Sequence, residues 1–464
     1  MFVLKEFIVG IKTICIVLIV IWSISSVQAH PNKFYNINTR YGISIRETNS
    51  VCEDQNGFIW ASSRYGILRI SEDEYHIYDL PVKTSGLIKV RLVFNNGRLL
   101  AHTNKGHIFK YNPVYDRFEL IINLCTQVSN ENLIVPCILM DGLGTLWISS
   151  SGGLYKYDKK ELSLVNKSFT GRYLITWYDQ DHLLITLTNG IWLFDIRSMS
   201  KKQIYDSGKL KISPVFPLLY DTMQNKLWIG TLSQGLLCYH FDSNTLSDIL
   251  GSALPRQPIM DIEEYTDSTI LIGIDGQGIW ELDKKGRSIL NIYKESADNP
   301  FSLRGNGVYD IFPGSDNRVW VCTFNGGLSY FVNESPIIKQ IIHVPNNKNS
   351  LRDNGVNSVI EDHFGKIWFA TNNGLSCWDV TSDQWINLYD NKLEQAQVFL
   401  TLCEDDSGRI WAGSYSSGVY VLDASTGKEL EHYSHNGLPP VGDFIFEIFS
   451  ALFAWYTERG RSGK

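Results

Sequence analysis

One short phrase returns nine times along the chain: a turn, an apolar strand that usually carries tryptophan, a glycine, then a second apolar strand. The clearest copies are DQNGFIWASSRYGILRIS from residue 54, DHFGKIWFATNNGLSCWD from residue 362 and DDSGRIWAGSYSSGVYVLD from residue 405. The large central residue is Trp60, Leu100, Trp147, Leu184, Trp228, Leu271, Trp320, Trp368 or Trp411, so the period runs from 37 to 49 residues. Repeats of that length, built only from short strands, specify an all-β β-propeller with one four-stranded blade per repeat. The six tryptophans are each followed by a glycine, at Gly66, Gly153, Gly235, Gly327, Gly374 and Gly418. A chain of 464 residues exceeds what a single core sustains, and a repetitive fold resolves that difficulty.

Each repeat parses into four strands. An inner strand such as NSVCED (49–54) or GVNSVIED (355–362) leads into a tight turn, DQNG, DHFG or DDSG. There Asp bonds its own downstream backbone and Gly takes the left-handed position. The residue two past the anchor is small in most copies: Ser62, Ser149, Gly230, Gly273, Cys322, Ala370 and Gly413. A large residue beside a small one lets neighbouring blades interlock as a ring tapers. His102 and Thr186 depart from this rule, and His102 is read as a satisfied histidine packed between blades. Glycine opens the third strand, and an outer strand such as YHIYD (75–79) closes the blade. The pairs Glu53-Asp54, Glu361-Asp362 and Glu404-Asp405 look like catalytic carboxylates. Their recurrence at one turn in separate blades assigns them to turn chemistry instead.

Residues 1–29 read as a signal peptide. Lys5 and Lys12 flank the apolar core TICIVLIVIW (13–22), and Val27-Gln28-Ala29 offers a small-residue cleavage site. The mature chain is thus expected to be exported, into a periplasm, with a retained membrane anchor as the alternative. Residues 30–335 are expected to form a seven-bladed ring, KFYNINTRYGIS (33–44) returning to complete the last blade. Residues 336–433 supply the first two blades of a second propeller; the alternative is one larger arc of nine. The tail, 434–464, opens like a tenth blade and then loses the anchor turn, which reads as a truncated or frameshifted, poorly ordered end. An incomplete second propeller leaves sheet surface exposed and is a route to self-association.

The net charge of −7 and the lack of a Lys/Arg run exclude a nucleic-acid partner. Seven cysteines remain past the signal segment, an odd number. Cys52 and Cys403 occupy equivalent positions in different blades, as do Cys238 and Cys377, so these pairs are too far apart to bridge and read as small buried hydrophobes. HExxH, GxSxG, Walker and CxxC motifs are missing, and no two of the ten histidines pair at metal-ligand spacing. No catalytic residue, metal or cofactor is expected.

The phrase V-x-x-I-x-x-D-x-x-G-x-I-W-I-G-T-x-x-G-L-x-x-Y-D, seen best in NSVIEDHFGKIWFATNNGLSCWD (357–379), closely resembles the two-component regulator propeller repeat. NPFSLRGNGV (299–308) and KNSLRDNGV (348–356) resemble that family's loop between blades. The resemblance implies the periplasmic sensor half of a hybrid two-component system of the Bacteroidetes type, which detects glycan fragments and controls polysaccharide-use genes. A full family member would continue through a second propeller, a β-sandwich, a membrane helix and a histidine kinase. None of these segments is recognisable here, which implies a chain that binds without signalling and is not itself an enzyme. DASTGKELEHY (423–433) resembles the tryptophan-docking repeat of quinoprotein propellers, which hold pyrroloquinoline quinone. That repeat should recur in every blade and occurs once, so the quinone is not expected.

A ligand is expected on the face shared by the loops between second and third strands and the loops between blades. The former carry Arg64, Tyr65, Asn104, Lys105, Gln234, Asp275, Gln277, Phe324, Asn325 and Tyr415; the latter carry Arg304, Asn306, Arg352 and Asn354. Planar aromatics, amides and Arg forks suit an oligosaccharide or another small molecule. The competing readings are a carbohydrate-active propeller enzyme, lyase or glycosidase, and a protein-binding scaffold.

Overall fold

The computed structural model describes residues 32–71, 74–82, 89–206, 208, 215–332, 341–389 and 397–434. The segment read as a signal peptide, and the tail beyond residue 434, lie outside the described residues. Helix is confined, among the described residues, to the single turns Ile37–Tyr41 and Leu124–Gln127 and a 3-10 turn at Gly251–Ala253.

Among the described residues the strands form nine four-stranded antiparallel sheets, eight of them built from four consecutive strands. The first runs Thr48–Glu53, Ile59–Ser63, Gly66–Ile70, Tyr75–Tyr78 from inner to outer edge. The seventh is different. Its strands Val308–Pro313, Arg318–Thr323 and Gly327–Val332 are completed by Tyr35–Asn36, with Tyr35 opposite Tyr330 and Asn36 opposite Ser329. Two residues make a short ladder, and side chains extend it. Asn36 Nδ2 donates to Gly326 O at 2.7 Å and to Ser329 Oγ at 2.9 Å. Gly327 N donates to Arg46 O at 2.8 Å, and the buried Phe34 ring lies 5.0 Å from that of Phe331.

The inner strands of the first seven sheets lie side by side in order: Thr48–Glu53, Val90–Asn95, Cys137–Met140, Leu174–Trp177, Val215–Asp221, Ile259–Thr266 and Val308–Pro313. The last of these also packs beside the first, so the seven sheets form a closed circuit. Inner-strand side chains bind the backbone of the next sheet. Ser50 Oγ accepts from Leu92 N at 3.2 Å, Asp261 Oδ2 from Ile311 N at 2.6 Å and Asp310 Oδ2 from Val51 N at 2.7 Å. The third of these bonds spans the point of closure. Glu53 crosses it too, accepting from Ser315 N at 2.8 Å.

The chain divides into two compact units, and residues 296–300 group with the second. Asn346 Nδ2 holds that short segment through Asp298 Oδ1 at 3.0 Å. The second unit contains two sheets, whose inner strands are Val356–Glu361 and Phe399–Glu404. They share a core of Trp368, Ala370, Cys377, Phe399, Leu402 and Ala412. Asn357 Nδ2 donates to Phe399 O at 2.8 Å, and His363 N to Glu404 Oε2 at 3.0 Å. Glu404 thus repeats the part Glu53 plays in the first unit. The acidic pairs are turn and inter-sheet fasteners.

The aspartate beside each of these glutamates has a second task. In four sheets one carboxylate oxygen accepts two backbone N–H groups of its own turn, while the other accepts the indole N–H of the anchor six residues on. The indole bonds are Trp60 to Asp54 (2.8 Å), Trp147 to Asp141 (3.2 Å), Trp368 to Asp362 (2.8 Å) and Trp411 to Asp405 (2.8 Å). Burying an indole leaves its N–H in need of an acceptor, and the turn supplies one. The seventh sheet has Gly314 where the aspartate would stand, and Trp320 Nε1 has no acceptor among the described residues.

The small residue two past the anchor is where adjacent sheets meet. A Cβ on Gly273 would stand 2.7 Å from Val308 Cγ1 of the next inner strand, and one on Gly230 would stand 2.8 Å from Ile259 Cγ2. Ser62 Oγ donates to Val90 O of the next sheet at 2.6 Å. The seven cysteines among the described residues are free, and Cys52, Cys238, Cys322 and Cys377 are buried.

Two outcomes follow from these contacts. Asp54→Asn keeps the turn acceptor but faces the Trp60 indole with a second donor, so it should cost about 1–3 kcal/mol in urea unfolding. In the Trp60→Phe background that cost should largely vanish, and equal costs in both backgrounds would refute the indole bond. Gly273→Ala should destabilise by about 1–3 kcal/mol through overpacking. Val308→Ala in the same chain should recover part of the loss.

Candidate ligand-binding rim

In a four-stranded meander, the loops between second and third strands share one end of the sheet with those that enter the next inner strand. In the first unit the closed circuit gathers these loops around the axis. Lys89 enters the second sheet, and its Nζ lies 4.4 Å from the centroid of the Tyr309 ring in the seventh. The Tyr309 ring meets Phe324 edge-on at 6.0 Å. Close backbone approach makes this possible: a Cβ on Gly307 would stand 3.2 Å from Phe324 Cβ and 3.5 Å from Asp275 Oδ1. Lys89 is held below the usual lysine range, first by desolvation and then by the charge of Arg91, while Glu47 and Asp275 act in the opposite sense. Arg172 adds a further like charge. The Tyr309 phenol is raised by desolvation and then by Glu47 and Asp275. Residues entering the first, second, fourth, sixth and seventh sheets thus act on one another across a single rim.

Deeper along the axis lie carboxyls that accept inter-sheet backbone bonds. Asp261 and Glu263 are raised above the usual carboxylate range, chiefly by burial and then by neighbouring negative charge. Asp310 is raised by burial and partly restored by Arg91, whose Nη1 lies 3.9 Å from its Oδ1. His102, opposite Arg91 in the second sheet, is buried with no partner for Nδ1 among the described residues. Burial, then the Arg91 charge, depresses it to about 3.

The residues singled out in the sequence fall into several groups. Asp275 and Phe324 stand on the axial rim, Phe324 47% exposed, with Asn325 exposed next to it. Arg64 and Tyr65 line a cleft of about 210 Å³ between the first and second sheets, with Asp79, Thr103 and His107. Asn104 positions Lys89, its Oδ1 accepting from Lys89 N at 3.2 Å. Lys105 is exposed, and its carbonyl accepts from Cys125 Sγ at 3.1 Å. The Gln234 carbonyl takes the Arg256 guanidinium. Gln277 Oε1 accepts from Lys294 Nζ at 2.9 Å, and its carbonyl from the Trp280 indole at 3.1 Å.

Asn306 and Asn354 are loop formers. Their Oδ1 atoms accept from Glu295 N at 2.8 Å and His343 N at 2.7 Å, the same bond 48 residues apart. The Arg304 side chain is exposed, and its carbonyl accepts from Thr323 Oγ1 at 2.9 Å. Arg352, Asn354 and Tyr415 belong to the second unit. The sequence reading missed Glu47, Lys89, Arg172 and Tyr309. Tyr309 occupies an inner-strand bulge between Val308 and Asp310, a position recurring at Asn49 and Asn357, and that recurrence was the available signal. Among the described residues no group of three His, Cys, Asp or Glu side chains is arranged to hold a metal ion.

The buried groups impose opposite pH dependences. His102 stays neutral in the fold, while the unfolded chain takes up its proton near pH 6.5, so its contribution is lost as pH falls from there toward 3. Asp261 has a raised folded pKa, so its penalty grows as pH rises above the unfolded value near 4. Melting curves from pH 3 to 9 should therefore show a flattened acid limb for His102→Gln. Asp261→Asn should flatten the fall toward alkaline pH. Unchanged limbs would contradict the assignment.

A family model described as two component regulator propeller matches residues 302–325 and 350–373, each running from an inter-blade loop to the end of a second strand and its turn. Among solved structures, the chain is similar to the extracellular domain of the putative hybrid two component system BT3049 from B. thetaiotaomicron. They share 20% identity and a TM-score of 0.56, over 87% of this chain and 60% of that one. The extracellular domain of the putative hybrid two component system BT4673 from B. thetaiotaomicron gives 19% identity and a TM-score of 0.54, over 90% and 63%. YCF48 from Cyanidioschyzon merolae gives 12% identity and a TM-score of 0.50, over 65% and 100%. The chain spans 60–63% of the length of the two B. thetaiotaomicron domains. No curated protein matches the chain in sequence. No helix among the described residues is long and apolar enough to cross a membrane. Nine four-stranded sheets among the described residues, and a circuit of seven closed by the N-terminal strand, make the chain a β-propeller protein, two of whose repeats match the two component regulator propeller model.

Proposed function

We propose that this chain is a ligand-binding sensor region acting outside the cytoplasm, and that its ligand is an oligosaccharide held at the axial rim of the first unit. The observation that carries this reading is the meeting of Tyr309 and Phe324 with Lys89 and the Asp275 carboxyl at one mouth. Sugar C–H faces pack on exposed aromatic rings, and their hydroxyls take hydrogen bonds from charged and amide groups. The rim offers both within a few ångströms. The match of two repeats to the two component regulator propeller model supports a sensor.

The test is a panel of oligosaccharides added to the chain, read by thermal shift, calorimetry and product analysis. One saccharide should raise the melting temperature with no product formed. Phe324→Ala should weaken that binding about tenfold, or about 1.4 kcal/mol, without lowering the melting temperature of the free protein. Turnover of the saccharide would replace the sensor by an enzyme, and unchanged affinity in Phe324→Ala would move the site off the rim.

A further inference from the structure

Several cations of this molecule are held by carboxylates. Lys284, 1% exposed, meets both Glu264 and Asp221, and Arg69 is bound to Asp116 at 3.2 Å. Arg91 has Asp310 within 3.9 Å. Lys89 differs. Its ammonium rests on the Tyr309 ring, and among the described residues no carboxylate stands within ion-pair distance of it. Arg172, exposed on the same rim, likewise has no carboxylate partner among the described residues. Arg91 and Arg172 place like charge near Lys89 and Glu47 and Asp275 place opposite charge there, while the Lys89 ammonium itself meets a ring instead of a carboxylate, so an anion could pair with it directly.

Resting on the reading of the rim as a saccharide site, we propose that the ligand is an acidic saccharide, its carboxylate or sulfate seated against the Lys89 ammonium beside Tyr309. The rim fits this in two further respects. The exposed Lys89 carries its ammonium on the Tyr309 ring, and the adjoining, half-exposed Phe324 ring offers a platform for the sugar bearing the anion. Glu47 and Asp275, on the same rim, accept hydroxyl hydrogens and confine the acidic group to the Lys89 side. Asn104 fixes the start of the strand that carries Lys89, so the cation is presented from a held backbone.

The decisive comparison uses the full chain with trigalacturonate, neutral galactotriose and a sulfated N-acetylglucosamine disaccharide, with sodium sulfate at equal ionic strength as control. An acidic saccharide should bind at least tenfold more tightly than galactotriose. Lys89→Gln should abolish that preference and Lys89→Arg should retain it, with the far-UV circular dichroism of both variants matching the parent's to show that each is folded. Raising salt from 50 to 300 mM should weaken only the acidic ligands. Equal affinity for neutral and acidic sugars, or a preference that survives Lys89→Gln, would overturn this inference and leave the saccharide site standing. Stabilisation by sodium sulfate equal to that by the saccharides would reveal an adventitious ion only, and would also overturn it. A failure of every saccharide to bind would remove both.

Discussion

A sheet with two apolar faces needs a neighbour on each, and in the first unit that requirement is met only because the chain returns to its own start. The pairing of Tyr35–Asn36 with Ser329–Tyr330 joins residues nearly three hundred positions apart and turns a row of seven sheets into a circuit. Without it the seventh sheet lacks its outer strand, and the core shared by Ile37, Ile45, Ala61, Leu68, Trp320 and Leu328 loses its lid. The interlocking of small and large residues works to the same end. Gly273 admits Val308, and Gly230 admits Ile259, and at neither glycine is there room for a Cβ between the two sheets.

Closure also builds the rim. Glu47 precedes the first inner strand and Tyr309 lies in the last, and they act on one another only because those strands are neighbours. The aromatic and charged groups around Lys89 come from sequence positions between 47 and 324, and apart from Arg91 they lie far from it along the chain. What makes them a site is the geometry of a ring whose loops all converge on one axis. The carboxyls of Asp261 and Asp310 show the same economy in reverse: residues that look like chemistry serve as acceptors for the next strand's backbone.

The architecture was legible because its signal is periodic. The tryptophan anchors, the turn aspartates and the small partner residues recur at fixed offsets, so nine copies average out local accident, and the N-terminal strand could be recognised as an outer strand without a blade. The site was legible only in part. Asp275 and Phe324 stand in the loop class that periodicity marks as the binding face. Lys89, Tyr309, Glu47 and Arg172 break no pattern and carry no motif, because their meaning comes from neighbours in other sheets. Asn306 and Asn354 misled for the opposite reason: amides in loops suit sugars, but these two satisfy backbone N–H groups. The indole bonds to Asp54 and its counterparts were also hidden, since a turn aspartate already has a sufficient local explanation.

The short clasp has a mechanical consequence. Tyr35–Asn36 runs antiparallel to Gly327–Val332, so the chain leading into Phe34 and the chain leaving Val332 emerge at the same end of one sheet. Tension between those two points does not shear the ladder. It loads the outermost hydrogen bond alone, then the next, as in opening a zipper. Peeling is the weak direction of a β-pair, and here a two-residue ladder, the Asn36 amide and the rings of Phe34 and Tyr35 resist it. A pull that would leave most strands of the ring untouched is therefore concentrated on the one seam whose release frees the outer edge of the seventh sheet.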